Sequence, residues 1–215
     1  MNRIFCYKNI NASITVNQIH HLGHNYGQGS FCKDRKIFAI DIPKNASSAG
    51  KHFYNKNNFV EANFTDKDVN PEKFIVIMRD PVQRWVSGVT EYLAGEYGNL
   101  KFTNVSDYIN NKLLIELIFD QLVFDAHTFP QIAFLEDLKM EKIDFYYHDN
   151  DVYNKIAYYN QFDTHIKKSN GKSNSTDKLY VYNRILEELQ DPDKLKKVQR
   201  MYYCDYKLFD EIKFV

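Results

Sequence analysis

"KIFAIDIPKNASSAGKHF", residues Lys36–Phe53, decides the fold. An apolar run, Ile37–Ile40, leads into Pro43-Lys44 and a row of side chains hardly larger than methyl groups, and then into a basic segment. An apolar run of this length bounded by turn residues reads as a buried strand over 36–42. The segment after it reads as a helix over 47–57, with Ser47 and Ser48 as candidate caps. Small residues let a visitor approach the backbone closely. A lysine beside the free amides of a helix start points to an anion as that visitor.

The same grammar repeats downstream. "EKFIVIMRD", 72–80, contains the unbroken apolar run Phe74–Met78, the pattern of a strand covered on both faces in a parallel sheet. Asp80-Pro81 opens a helix, with proline near its first turn, and Trp85, Val86, Val89, Tyr92 and Leu93 follow at helical spacing. Two strand–turn–helix units predict an α/β domain whose central sheet is mainly parallel and flanked by helices. Further on, the pattern predicts a helix over 106–125, another opening at Pro130 in "PQIAFLEDL", and a third strand over 142–148. A polar, Gly-containing loop follows at 167–176, then helices over 178–190 and 193–208. Residues 1–35 read as one short strand followed by a Gly- and His-rich loop. His20, His21 and His24 have no carboxylate or cysteine beside them, so the reading there is a loop without metal.

The bulk numbers limit what the chain does. At 215 residues, 44% hydrophobic and 26% charged, it reads as one folded domain, or one domain with a small appendage, with a sizeable core. The formal net charge is zero, which removes a global field for nucleic acid or anionic membrane, so any anion site must be local. No apolar run is long enough for a membrane span, and "MNRIFCYKNINASITV" has no apolar core of a signal peptide. Cys6, Cys32 and Cys204 show no metal spacing and suit a reducing, cytoplasmic setting. The 16 tyrosines and 16 phenylalanines read first as core and only second as a surface for stacking sugars.

Two turns carry the chemistry. The first, Pro43 to Ala49, offers helix amides, two hydroxyls and Lys44. The second offers Arg79, with Ser87 about two helical turns along. In a parallel sheet both turns leave the carboxyl ends of strands, where ligands of α/β folds collect. Two separated anion sites suggest a ligand with two separated phosphates.

These residues also carry a resemblance. "IPKNASSAGKHF" resembles the 5′-phosphosulfate loop of sulfotransferases that use 3′-phosphoadenosine 5′-phosphosulfate (PAPS), commonly Pro-Lys-x-Gly-[Ser/Thr]-[Ser/Thr]. "VIMRDPVQRWVSG" resembles their 3′-phosphate motif, and its Arg-Asp-Pro-x-x-Arg form is similar to the carbohydrate branch, sulfotransferase family 2. "HTFPQIAFL" and "YYCDYKLFDEI" resemble two later elements of that branch, so the likeness runs from about Lys36 to the C-terminus. Ala46 stands where the family usually has glycine, and the crossover from Gly50 to Arg79 is short. The resemblance implies a P-loop-like sulfotransferase fold and metal-independent, in-line transfer of a sulfuryl group from PAPS to a hydroxyl, leaving the bisphosphate PAP. It implies a carbohydrate acceptor; lipid and peptide hydroxyls stay open. Lys44, Asn45, Ala46, Ser47, Ser48 and Ala49 would bind the 5′ end, and Arg79 and Ser87 the 3′-phosphate. Lys167 or Lys168 would close over that phosphate from the polar loop. His127 would be the general base, with Glu91, Glu96 and His52 as alternatives, and Arg84 would form ion pairs at the helix surface.

Two rival readings are a PAP- or glycan-binding module without catalysis and a P-loop kinase. The kinase pattern fails at Asn45, where its first glycine belongs, and at His52, where its Mg²⁺-binding hydroxyl belongs.

Overall fold

The computed structural model describes residues 27–100, 112–163 and 176–215. Its centre is a five-stranded sheet: β1 (Gln28–Cys32), β2 (Ile37–Ile40), β3 (Val60–Asn63), β4 (Lys73–Met78) and β5 (Ile143–Tyr147), in spatial order β3-β1-β2-β4-β5. β2 pairs parallel with β4, in the register Phe38↔Phe74, and β4 pairs parallel with β5. β1 runs antiparallel to both β2 and β3. The sheet is therefore mixed, which corrects the mainly parallel expectation. β1 and β3 are partly exposed, so neither shows the apolar run of a strand buried on both faces. β1 also begins within the Gly-rich stretch read as loop, and joins β2 through the turn at Lys33–Lys36.

Seven α-helices are described. On one face of the sheet, α1 (Ser47–Lys56) and, after β5, α4 (Val152–Asn160) cover Ala39, Ile75, Ile77 and Tyr146 with Phe53, Tyr54, Tyr153 and Ile156. The opposite face buries Phe38, Ile40, Phe74, Val76 and Phe145 under a 3-10 turn, Gln131–Leu135, and α7 (Tyr203–Glu211). A separate helical cluster joins α2 (Pro81–Leu100), α3 (Lys112–Gln121), α5 (Thr176–Glu188) and α6 (Pro192–Met201) around Trp85, Val89, Ile118 and Ile185. Among the described residues no helix is long and apolar enough to cross a membrane.

Three predicted helices change form, each for a local reason. "PQIAFLEDL" is only a 3-10 turn whose five residues are all buried. Its first amides are taken by a carboxylate from another helix: Gln131 N–H and Ile132 N–H donate to Asp205 at 2.9 Å each. The helix expected over 106–125 ends at Gln121, because Leu122 adopts a left-handed φ of 60° and its carbonyl accepts Trp85 Nε1–H at 2.7 Å. The helix expected over 193–208 is broken at Tyr202, a fully buried residue whose hydroxyl donates to the Thr128 carbonyl.

Candidate anion site at the strand ends

β2 and β4 are adjacent and parallel, so their carboxyl ends deliver Lys44 and Arg79 to one edge. The chain leaves β2 in a strained path. Lys44 has φ 68° and Ala46 φ 64°, both left-handed, and strain of this kind is worth about 1–3 kcal/mol per residue. Ala46, not Ser47 or Ser48, is the N-cap of α1, and no side chain caps that end. The first-turn amides thus have no side-chain cap, the arrangement that an anion site uses. Tyr153 Oη–H donates to the Ala46 carbonyl at 2.8 Å and pins the loop from behind. Gly50 makes that contact possible, since a Cβ there would lie 2.6 Å from the Tyr153 oxygen. One of the small residues therefore serves internal packing rather than a ligand.

Asn45 is buried and shapes the loop from inside. Its Nδ2 donates to Ile77 O at 2.7 Å and Gln131 Oε1 at 2.6 Å, and its backbone N–H to Ile42 O at 3.1 Å. Its donors are thus occupied within the protein. Oδ1 has no partner among the described residues.

Arg79 meets the first loop directly: Nη1 donates to the Lys44 carbonyl at 3.2 Å. Its Nε–H is buried without a partner among the described residues. Burial holds the guanidinium pKa below its ordinary value, with Tyr182, Asp80 and Tyr147 acting in the opposite direction. Asp80 caps α2 instead of pairing with Arg79, accepting Gln83 N–H at 2.8 Å. Gln131 holds the two turns together. Its Oε1 accepts from Asn45 and from Arg79 N–H at 2.9 Å, and its Nε2 donates to Arg79 O at 2.8 Å. Asp205 anchors the amides of Gln131 and Ile132 in turn, so the two late sequence elements form one buried brace.

Arg84 corrects the expectation of surface ion pairs. It is fully buried, and its guanidinium donates to Pro43 O at 2.9 Å, Ala126 O at 3.1 Å and Phe129 O. It fastens α2 to both the Lys44 loop and the His127 loop. Gly88, one turn on, lets the second loop close in, since a Cβ there would lie 2.4 Å from the His127 carbonyl oxygen.

Lys44 itself is not free. Its Nζ lies 3.3 Å from Glu91 Oε2, and Lys178 of α5 donates to both oxygens of the same carboxylate at 2.8 and 2.9 Å. Burial would raise the Glu91 pKa, but the Lys178 hydrogen bonds and the Lys44 charge outweigh it and hold the carboxyl below its usual range. That suits an electrostatic partner better than a proton acceptor. Ser87 sits one turn before Glu91 on the same strip of α2, partly buried.

His127 is oriented by its own loop. Asp125 accepts its backbone N–H at 2.8 Å and contacts Nδ1 at 2.9 Å, which leaves Nε2 as the open nitrogen. His52 is exposed on α1. Lys167 and Lys168, with His20, His21 and His24, lie outside the described residues; of Ser47, Ser48, Ala49 and Glu96 only the backbone is described.

Two groups at this edge escaped the sequence reading. Lys178 is an ordinary first-turn lysine by sequence, and only the packing of α5 along α2 brings it to Glu91. His148 follows β5, and its N–H donates to Met78 O at 2.7 Å. Burial and then the Arg79 charge lower its pKa. Among the described residues no three His, Cys, Asp or Glu side chains are grouped to hold a metal. No family model, no curated protein and no solved structure matches this chain.

Proposed function

We propose that this chain is a PAPS-dependent sulfotransferase with a P-loop-like sulfotransferase fold, acting on an acceptor hydroxyl carried by a carbohydrate. One observation carries the reading. Lys44 with the uncapped start of α1, and Arg79 with a buried Nε–H that has no partner among the described residues, come from different strands and meet through a 3.2 Å hydrogen bond. A buried donor without a partner is costly, about 1–3 kcal/mol, and an arriving phosphate oxygen would satisfy it. The residues present therefore fit a ligand with two phosphates.

When bound, PAPS would supply an activated sulfuryl group, and PAP would leave after transfer. The amides at the start of α1 would hold the 5′ end, and Arg79 with Ser87 the 3′-phosphate. Lys44 would release Glu91 and face the negative charge that collects on the leaving phosphate oxygen. Glu91 would keep its Lys178 bond, so no carboxylate is left buried and unpaired. His127 Nε2 would take the acceptor's proton, and Asp125 would stabilise the imidazolium formed. The chain's contribution is positioning and fixed charge rather than a covalent intermediate. A reducing, cytoplasmic setting belongs to the same proposal, and the two described cysteines, Cys32 and Cys204, are buried.

The test is transfer of label from ³⁵S-PAPS to a panel of hydroxyl acceptors, with and without chelator. Chelator should leave transfer intact, and Lys44→Ala should lower turnover about 10²- to 10³-fold. His127→Ala should lower it about 10²- to 10⁴-fold while PAP affinity holds. PAP binding with no transfer to any acceptor would favour the non-catalytic module, and a strict Mg²⁺ requirement the kinase.

A further inference from the structure

Behind the Lys44 loop, on the face covered by α1 and α4, lies a cavity of about 450 Å³, within the usual size range of small-molecule sites. Its charge differs from that of the anion site. Asp41 lines it, and the exposed Lys51–Glu61 pair, 3.0 Å apart, forms part of its lining. Two carboxylates against one ammonium leave it net negative, so a phosphate, sulfate or carboxylate group is repelled there.

Its hydrogen-bonding capacity is unmet on the acceptor side. Asn45 lines it with a buried Oδ1 that has no partner among the described residues. The orientation of that amide is fixed, because both partners of Nδ2 are oxygens. Asp41 adds a carboxyl to the wall, and Gln28 and Ser30 add polar groups of both kinds. A buried acceptor left open calls for a donor from outside. Tyr153 supplies an apolar ring, its hydroxyl being spent on Ala46.

We propose that this cavity receives the acceptor, and that the unit it holds is a non-anionic polyol, a neutral or amino-bearing sugar ring. Calling that unit an acceptor rests on the sulfotransferase reading; the chemistry of the cavity does not. The placement fits transfer. Asn45 lines the cavity and follows Lys44 directly, so the cavity adjoins the loop of the candidate anion site. Burial raises the Asp41 pKa, and the nearby Lys51 charge opposes that rise.

Calorimetric titration with methyl glucoside, methyl glucosaminide and methyl glucuronide, with and without saturating PAP, tests this. The neutral and amino sugars should bind, and the glucuronide at least tenfold more weakly. Ser30→Phe, which places a ring in the cavity, should weaken sugar binding at least tenfold and leave PAP affinity unchanged. Asp41→Asn keeps the shape, serves if Ser30→Phe does not fold, and should abolish any preference for the amino sugar over the neutral one. Glucuronide binding as tight as the neutral sugar overturns the proposal, as does full sugar binding by a folded Ser30→Phe. If PAP binds and no sugar does, the cavity proposal falls alone. If the sugars behave as expected and PAP does not bind, the sulfotransferase reading falls and the polyol site stands.

Discussion

Gln131→Ala removes the side chain that holds the two anion-binding turns together. In the wild type this buried amide satisfies the N–H and the C=O of Arg79 and one hydrogen of Asn45 Nδ2, while Asp205 keeps its bond from the backbone of Ile132 regardless. Two backbone groups would then be left unpaired, at about 1–3 kcal/mol each. Water entering the vacated space would recover part of this. A net loss of about 2–4 kcal/mol follows, equivalent to roughly 4–16 °C in melting temperature for a chain of this size. PAP affinity should fall as well, about tenfold, because Arg79 and the Lys44 loop lose their common support. Gln131→Glu keeps the shape but sets a second carboxyl against Asp205 and turns the donor to Arg79 O into an acceptor, so it should destabilise at least as much. Thermal unfolding and calorimetry with PAP read both effects. A Gln131→Ala protein that melts within about 2 °C of wild type and binds PAP unchanged would refute the brace.

Three further outcomes follow from particular residues. Ala46→Gly should raise stability by up to about 1 kcal/mol, since glycine adopts a φ of 64° without strain; a clear loss in a urea melt would contradict this. Arg84→Lys should cost about 2–4 kcal/mol, because an ammonium cannot serve carbonyls of Pro43, Ala126 and Phe129 in the planar fork they surround, and an unchanged urea midpoint would show that the fork is dispensable. For His148, the folded-state pKa lies below the ordinary 6.5, so its stabilisation is present above that value and is lost as pH falls through the folded pKa. His148→Gln should therefore flatten the decline of stability below about pH 6.5, and parallel wild-type and variant curves would rule that contribution out.

How far the sequence reached depended on burial. β2 and β4 were legible because strands covered on both faces must be apolar throughout, and their parallel pairing then brings Lys44 and Arg79 to one edge. β1 and β3 were not, since strands with mixed burial carry no such run. Asp205 and Gln131 could be suspected from a resemblance, but their roles need a contact across most of the second half of the chain. Arg84 looked like a surface charge because a helical arginine usually is one, and only the two loops folding over it bury its guanidinium. Lys178 had no local signature at all. It stands in the first turn of its helix and reaches Glu91 only because that helix packs along α2.

The central claim is that two anion sites on two strands recognise two phosphates of one nucleotide. Calorimetric titration of the wild type and Arg79→Ala with PAP and with AMP, which lacks the 3′-phosphate, tests it most directly. The wild type should bind PAP about 10- to 100-fold more tightly than AMP, the worth of one or two hydrogen bonds from arginine to a charged group. Arg79→Ala should bring the two affinities together by weakening PAP alone. Equal affinity of the wild type for PAP and AMP would contradict the account.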